Sequence, residues 1–382
     1  MDRINARPGG SHLKTQPLTA PRRAVNPIES MGRMFVPPKR FDLLVGSGRW
    51  ARLKRNASAG LVLLAAVLGT NPTLAAQPAA GVTWVTLGTG GGPLARTKRA
   101  QASNALSVGE DVILFDAGDG VMHGLAAAGI RLEQVRAVVL SHLHPDHTGG
   151  LPALIALRWQ NSIHRPLVVY GPTGTSEFVS AILASNGPAE RIGFAAPGTI
   201  FPSAGTSVST HELPCMGEVT TIAGVQVTSI RNTHYVYPDG HEPPNAASCS
   251  FRAVANGAAI IYTGDTGPSE AVTRLAKGAD LLISEVIDIP ATMRAVGPLA
   301  RTMPPEAKAG MMFHLTRHHL TPEEVGRMAA AAGVKSVVLT HLSPGMDDER
   351  DTSGYVEGVR RLYRGPVHAA ADGERFSLPT KP

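Results

Sequence analysis

Four side chains able to bind a metal ion fall within six positions of this chain, in His142-Leu143-His144-Pro145-Asp146-His147. They follow an apolar run at 137–140 and precede Thr148-Gly149-Gly150. Imidazoles crowded beside a carboxylate must be solvated, paired or ligated. Donors this dense are what an open catalytic metal site requires, and imidazole with carboxylate suits zinc and similar ions. Any fold that keeps this segment must end a buried strand at a rim where other loops can bring further donors.

The rest of the chain repeats that pattern. Residues 82–87, 111–115, 225–230, 280–284 and 336–339 read as apolar strands, and 121–128 and 150–159 as helices. Residues 248–254 and 258–263 flank Asn256-Gly257, both able to take positive φ, and predict a hairpin. Thr321-Pro322-Glu323-Glu324 predicts a helix start with a capping box, and Gly333 its stop. His234, Asp265 and His341 each follow the end of one of these strands. Strands mixed with helices and a long hairpin argue an α/β architecture, an αββα four-layer sandwich of two sheets with helices on both outer faces.

His-X-His-X-Asp-His after a buried strand resembles the signature of the metallo-β-lactamase superfamily. The resemblance extends through Asp116-Ala117-Gly118 upstream and His234, Asp265 and His341 downstream, over roughly residues 82–375. It implies a dinuclear site: His142, His144 and His234 on one metal, Asp146, His147 and His341 on the other, and Asp265 bridging. Two zinc ions are implied, with manganese or iron as alternatives, and a hydroxide shared between them as nucleophile. Two cations lower the pKa of a shared water and stabilise charge on the substrate oxygen.

Within the superfamily, His318-His319-Leu320-Thr321 is similar to the segment found in ribonuclease Z and the related arylsulfatases of this fold. The resemblance implies that His319 assists the leaving group, which an imidazole can do near neutral pH. His319 and Asp146 are thus the candidate catalytic residues, with His318 and His314 competing for the acid's place. Glu285 is implied as a carboxylate orienting His319, and Asp116 as a support beneath the histidine cluster, with Asp119 a further candidate there. Residues 287–317 hold Met293, Met303, Met311, Met312 and Phe313 together with Arg294, Arg301 and Arg317. They read either as a lid over an aryl or alkyl group, with arginine for an anionic one, or as a packed helical insertion.

Charge separates the candidate substrates. The formal net charge is +6, but residues 1–76 carry 12 Lys/Arg against Asp2, Glu29 and Asp42, and the remaining 306 residues carry 24 against 27 acidic ones. Residues 166–230, where an RNA-gripping arm is expected in ribonuclease Z, hold Arg191 against Glu177, Glu190, Glu212 and Glu218. Ser185-Asn186-Gly187-Pro188 is the place for a remnant of that arm. A body so charged is a poor phosphate-backbone binder, so no nucleic-acid partner is expected. Arg49, Arg52, Lys54 and Arg55, then an apolar stretch at 57–68, then small residues at 73–77 follow the layout of a signal peptide. The run is too short for a membrane span. Residues 1–80 are therefore expected to be a largely disordered leader, overlong from Met1 because the start codon is misassigned. Residues 81–382 are expected to form the catalytic domain, periplasmic or secreted. Cys215 and Cys249 either pair after export or stay as two buried thiols.

The expected activity is hydrolysis of a small sulfate or phosphate ester. A ribonuclease Z-like phosphodiesterase or endonuclease, a lactonase or carboxyl-ester hydrolase, a non-catalytic metal binder and a mononuclear iron thiol oxygenase stand as alternatives. A homodimer is left open.

Overall fold

The computed structural model describes residues 81–193, 201–237, 240–244, 246–349 and 351–380. The expected leader, 1–80, lies outside them. In chain order the strands are β1 (Val82–Gly88), β2 (Ser103–Val108), β3 (Asp111–Ala117), β4 (Val135–Val139), β5 (Leu167–Gly171), β6 (Val208–Glu212), β7 (Met216–Ile222), β8 (Val225–Arg231), β9 (Cys249–Ala255), β10 (Ala258–Tyr262), β11 (Leu281–Ile287), β12 (Val337–Ser343), β13 (Val367–Ala369) and β14 (Arg375–Leu378). The helices are α1 (Val121–Ala127), α2 (Pro145–Thr148), α3 (Leu151–Gln160), α4 (Thr175–Ile192), α5 (Glu270–Leu275), α6 (Ile289–Ala300), α7 (Pro305–Arg317), α8 (Pro322–Ala332) and α9 (Ser353–Arg360).

Two seven-stranded sheets form, ordered β14-β1-β2-β3-β4-β5-β6 and β13-β12-β11-β10-β9-β8-β7. Each is antiparallel on one side and parallel on the other. Strand β11 is buried at every position, as the continuous apolar run of a central parallel strand requires. Asn256 and Gly257 turn the β9–β10 hairpin with φ 46° and 74°. Thr321 and Glu324 cap α8 reciprocally, and Gly333 ends it in the left-handed region.

Between the sheets lies an apolar layer built around Trp84, Phe115, Phe251, Tyr262, Ile283 and Val338. Helices α1, α3 and α4 cover the outer face of the first sheet, and α5, α8 and α9 that of the second. This is the αββα sandwich. Phe115 sits at its centre, 5.1 Å from the ring of Trp84 and 5.9 Å from those of Phe251 and Tyr262. Phe115→Ala is expected to destabilise the fold by about 3–5 kcal/mol, read as a lower urea midpoint at unchanged slope. A loss under about 1 kcal/mol would mean that the sheets close over the missing ring.

Three local features depart from the sequence reading. His341 and Glu285 lie within β12 and β11 rather than beyond their ends. Between Ser284 and Val286 the partner strand advances three residues, from Leu339 to Leu342, so β12 bulges at Thr340-His341, and His341 has φ 45°. Strand β3 bulges likewise at Asp116, with φ 61°. A bulge re-aims one side chain without ending the strand, and alternation of apolar residues does not reveal it. Finally, Ser185-Asn186-Gly187-Pro188 is no remnant of an arm: it lies inside α4, where the Asn186 amide donates to Glu190. Cys215 and Cys249 pair, with Cα atoms 5.9 Å apart, and tie β7 to β9. The Cys249 N–H donates to the carbonyl of Ser141, the residue before His142 (2.9 Å).

Candidate metal centre

Strand β4 ends at Val139, and the next residues turn across the rim of the first sheet. His144 precedes α2, and Pro145 opens it with its φ already helical. The short helix turns Asp146 and His147 back towards His142. From the second sheet, β8 delivers His234, the end of the β9–β10 hairpin delivers Asp265, and the β12 bulge delivers His341.

Four overlapping donor groups result among the described residues: His142/His144/His234 and Asp146/His147/Asp265/His341, which match the expected pair of sites, and His234/His314/His319 and Asp265/Glu285/His319/His341, which share His319. In the first, His144 Nδ1 is 3.0 Å from His142 Nε2 and 3.2 Å from His234 Nε2. In the second, His147 Nε2 and His341 Nε2 each lie 3.3 Å from Asp265 Oδ1, and 3.5 and 3.3 Å from Asp146 Oδ2. Asp265 Oδ2 faces the first group, 3.9 Å from His142 Nε2. Donor atoms about 3.3 Å apart are the edges of a tetrahedron around an ion bound at roughly 2.0–2.1 Å. His147 Nε2 and Asp265 Oδ1 are buried with no hydrogen-bond partner in the protein, which suits a ligand role. The donor set therefore fits two divalent cations.

For His142, His147 and His234 the other ring nitrogen is already committed, which fixes the tautomer. His234 donates from Nδ1 to the His318 carbonyl (3.0 Å), leaving Nε2 for a metal. His142 Nδ1 meets the Ser141 hydroxyl (3.0 Å), which donates to Asp116 (2.7 Å). Asp116 also accepts from the Ser141 N–H, the Tyr262 hydroxyl and His147 Nδ1 (2.6, 2.7 and 2.8 Å). Such outer partners orient metal-binding imidazoles and raise their basicity. Burial lowers the proton affinity of His142 and His234. It opposes charge on His147 as well, but Asp265, Asp146 and Asp116 outweigh it and raise His147 well above an ordinary histidine. A cation competes with that proton.

His319 faces the same cavity. Its Nδ1 meets Glu285 Oε2 at 2.6 Å, and Glu285 Oε1 accepts the Thr266 N–H at 2.6 Å. Burial opposes protonation, but Glu285 and Asp265 prevail, and His319 is held up to about 9. The Glu285 carboxylate thus favours the protonated ring, whose Nδ1 it holds, and His319 lines the cavity. His318 is buried but does not line the cavity; its Nε2 donates to the Val236 carbonyl (3.0 Å). Asp119 is exposed and takes no part.

The cavity has a volume of about 330 Å³. Metal donors and His319 form one side of it; Val296, Leu299, Met303, Met311 and Leu315 form the other. Residues 287–317 thus supply the wall as helices α6 and α7. Arg294, Arg301 and Arg317 are not in the lining, contrary to the sequence reading, and neither are Met293, Met312 and Phe313. On α7, only side chains on the inward stripe reach the site. Sequence reasoning also missed Ser141, Tyr262 and Gly92. The Gly92 N–H donates to Asp146 (2.9 Å), so close that a β-carbon there would overlap the carboxylate. The turn residues at 88–92 were the available signal.

The family model described as the Beta-lactamase superfamily domain matches residues 112–342. A Ribonuclease Z from Mycolicibacterium paratuberculosis is 33% identical over 298 residues, covering 74% of this chain and 97% of that protein. Among solved structures, the metallo-beta-lactamase fold protein YhfI from Bacillus subtilis aligns with a TM-score of 0.57 at 19% identity, over 78% of this chain and 100% of its own. The short form of human tRNase Z aligns at 0.53 and 21% identity, over 78% and 99%. With the matched domain spanning both sheets and every metal donor, the chain belongs to the metallo-β-lactamase superfamily of metal-dependent hydrolases.

Proposed function

We propose that this chain is an exported dinuclear hydrolase of a small sulfate or phosphate ester, with His319 protonating the leaving oxygen. The observation that carries the reading is the His319–Glu285 pair facing the donor groups inside a small, largely apolar cavity. When bound, a pair of divalent cations, zinc by the character of the donors, supplies an activated water and neutralises charge on the ester. The chain's own residues do the rest. Asp265 and Asp146 hold the ester-facing side of the site, and Glu285 fixes His319 with Nδ1–H bound and Nε2–H directed into the cavity. The apolar wall keeps water from the leaving group. No lysine or arginine lines the cavity among the described residues, so a polyanion finds no grip beyond the site itself.

A second reading, a nuclease acting on RNA, is favoured by the Ribonuclease Z relative. Aryl sulfates, aryl phosphodiesters, a lactone and a precursor tRNA, assayed on one zinc-loaded sample with its metal content measured, separate the two. Faster hydrolysis of a small ester supports the first reading; faster tRNA processing overturns it. One iron per chain without ester turnover points instead to sulfur oxidation.

Support for export comes from the basic, apolar and small-residue leader and from the Cys215–Cys249 disulfide, which suits an oxidising compartment. Among the described residues no helix is long and apolar enough to cross a membrane. Cell fractionation with N-terminal sequencing tests this: a shortened periplasmic or secreted form is expected, and a full-length cytoplasmic one counts against export.

A pH profile tests the acid. His319 acts while protonated, so activity is present below its pKa and lost as pH rises through it. Glu285→Gln removes the anion holding the proton, so the alkaline limb should move down by about 1–3 pH units. An unmoved limb would assign the proton donor elsewhere.

A further inference from the structure

The structure assigns to His314 a hydrogen-bond acceptor beside His319, and we infer that the leaving group carries a hydroxyl on the carbon adjacent to the one that bears its ester oxygen. This rests on the ester-hydrolase reading above and names the substrate class within it.

The argument starts at a carbonyl. The Val236 oxygen can only accept, so His318 Nε2, 3.0 Å away, carries a hydrogen. In the neutral ring His318 Nδ1 is then a lone pair. His314 Nδ1 lies 3.0 Å from it and must be the donor. That leaves His314 Nε2 as a lone pair, and His314 lines the cavity. The chain Val236–His318–His314 therefore fixes, through two hydrogen bonds, which face His314 offers the substrate.

His314 is placed to use it. Its ring is 5.1 Å from that of His319 and 4.9 Å from that of His234, and the three offer nitrogens within 4.8 Å of one another. His319 donates to the leaving oxygen. An acceptor alongside matches a donor on the carbon adjacent to the one bearing the leaving oxygen, as in a 1,2-diol or an ortho-hydroxyarene. Apart from the metal donors, His319 and Ser343, the rest of this lining is glycine, proline or apolar side chains. A lone pair in such surroundings favours a ligand that satisfies it over one that cannot.

The test pairs two chromogenic leaving groups, 2-hydroxy-4-nitrophenyl and 2-methoxy-4-nitrophenyl, each as sulfate and as methyl phosphodiester; the nitro group is para to the leaving oxygen, so the free hydroxyl stays protonated near neutral pH. The zinc-loaded wild type is expected to favour the hydroxyl compound about tenfold in kcat/KM. His314→Leu should bring that ratio to about one, and His314→Gln, whose amide oxygen is an acceptor, should restore part of it. An equal rate on both compounds in the wild type overturns the inference. So does a preference that survives in His314→Leu, since it would come from chelation by the hydroxyl. Turnover of neither ester class overturns the ester reading, and this inference with it.

Ring 15N spectra of the same protein read the tautomers without turnover. His314 is expected with hydrogen on Nδ1 and His318 with hydrogen on Nε2. A His314 protonated at Nε2 overturns the inference, whether or not the leucine variant folds.

Discussion

His319→Ala is expected to lower kcat by about 10²–10⁴-fold while two metal ions stay bound. The ring is fastened through Glu285, not through the donor groups, so its loss leaves both sets of metal donors in place. The loss should depend on the substrate. An alkoxide or simple phenoxide needs a proton as it departs, whereas a nitrophenoxide hardly does. The deficit should therefore be greatest for poor leaving groups and shrink towards unity for the most acidic phenols. Metal analysis and a leaving-group series on the variant check this. Loss of metal in the variant would make His319 a ligand rather than an acid. A deficit equal for all leaving groups would make it a positioning residue.

Asp265→Ala should do more damage. Asp265 Oδ1 faces His147 and His341, and Oδ2 faces His142, so one carboxylate serves both donor groups. It stays ionised: burial raises its pKa, but His147 and His341 pull it well below the ordinary carboxylate range. Without it the second group keeps one anion, Asp146, and the two positions lose their shared ligand. Turnover is expected to fall at least about 10³-fold, equivalent to losing several kcal/mol of charge stabilisation. Metal content should drop towards one ion per chain. The fold should persist, because Asp265 lies at the rim while the inter-sheet layer around Phe115 is untouched. Two ions retained with kcat within threefold of wild type would remove Asp265 from the centre of the site.

The donors were legible in the sequence because their chemistry is local. Four of them share six positions, and the others follow apolar runs that reach the same rim. The strands carrying them, the Asn256-Gly257 hairpin and the capped helix α8 were legible for the same reason: each rests on a short pattern or on one residue's backbone preference. Pairing of Cys215 with Cys249 was not legible. It depends on β7 and β9 flanking β8 in one sheet, which brings residues 34 apart in sequence to 5.9 Å.

Choosing between adjacent histidines also needed the fold. His318 and His319 are neighbours, and on a turn leaving α7 their side chains diverge. Packing sent His319 to Glu285 and His318 to Val236. One of the two readings of residues 287–317 offered their arginines to an anionic group, but α6 and α7 present Val296, Met311 and His314 to the cavity instead.

The sequence by itself marked the candidate metal donors and the alternation of strands and helices, since periodicity and donor spacing are properties of short segments, and the resemblance to a known superfamily supplied the grouping of those donors. Tertiary structure alone decided where the strands bulge to aim Asp116 and His341, and that His319 pairs with Glu285 while His318 pairs with Val236. Those outcomes depend on hydrogen-bond partners tens to hundreds of residues away, such as Tyr262 for Asp116 and Val236 for His318, and a partner that distant is known only once the sheets have closed.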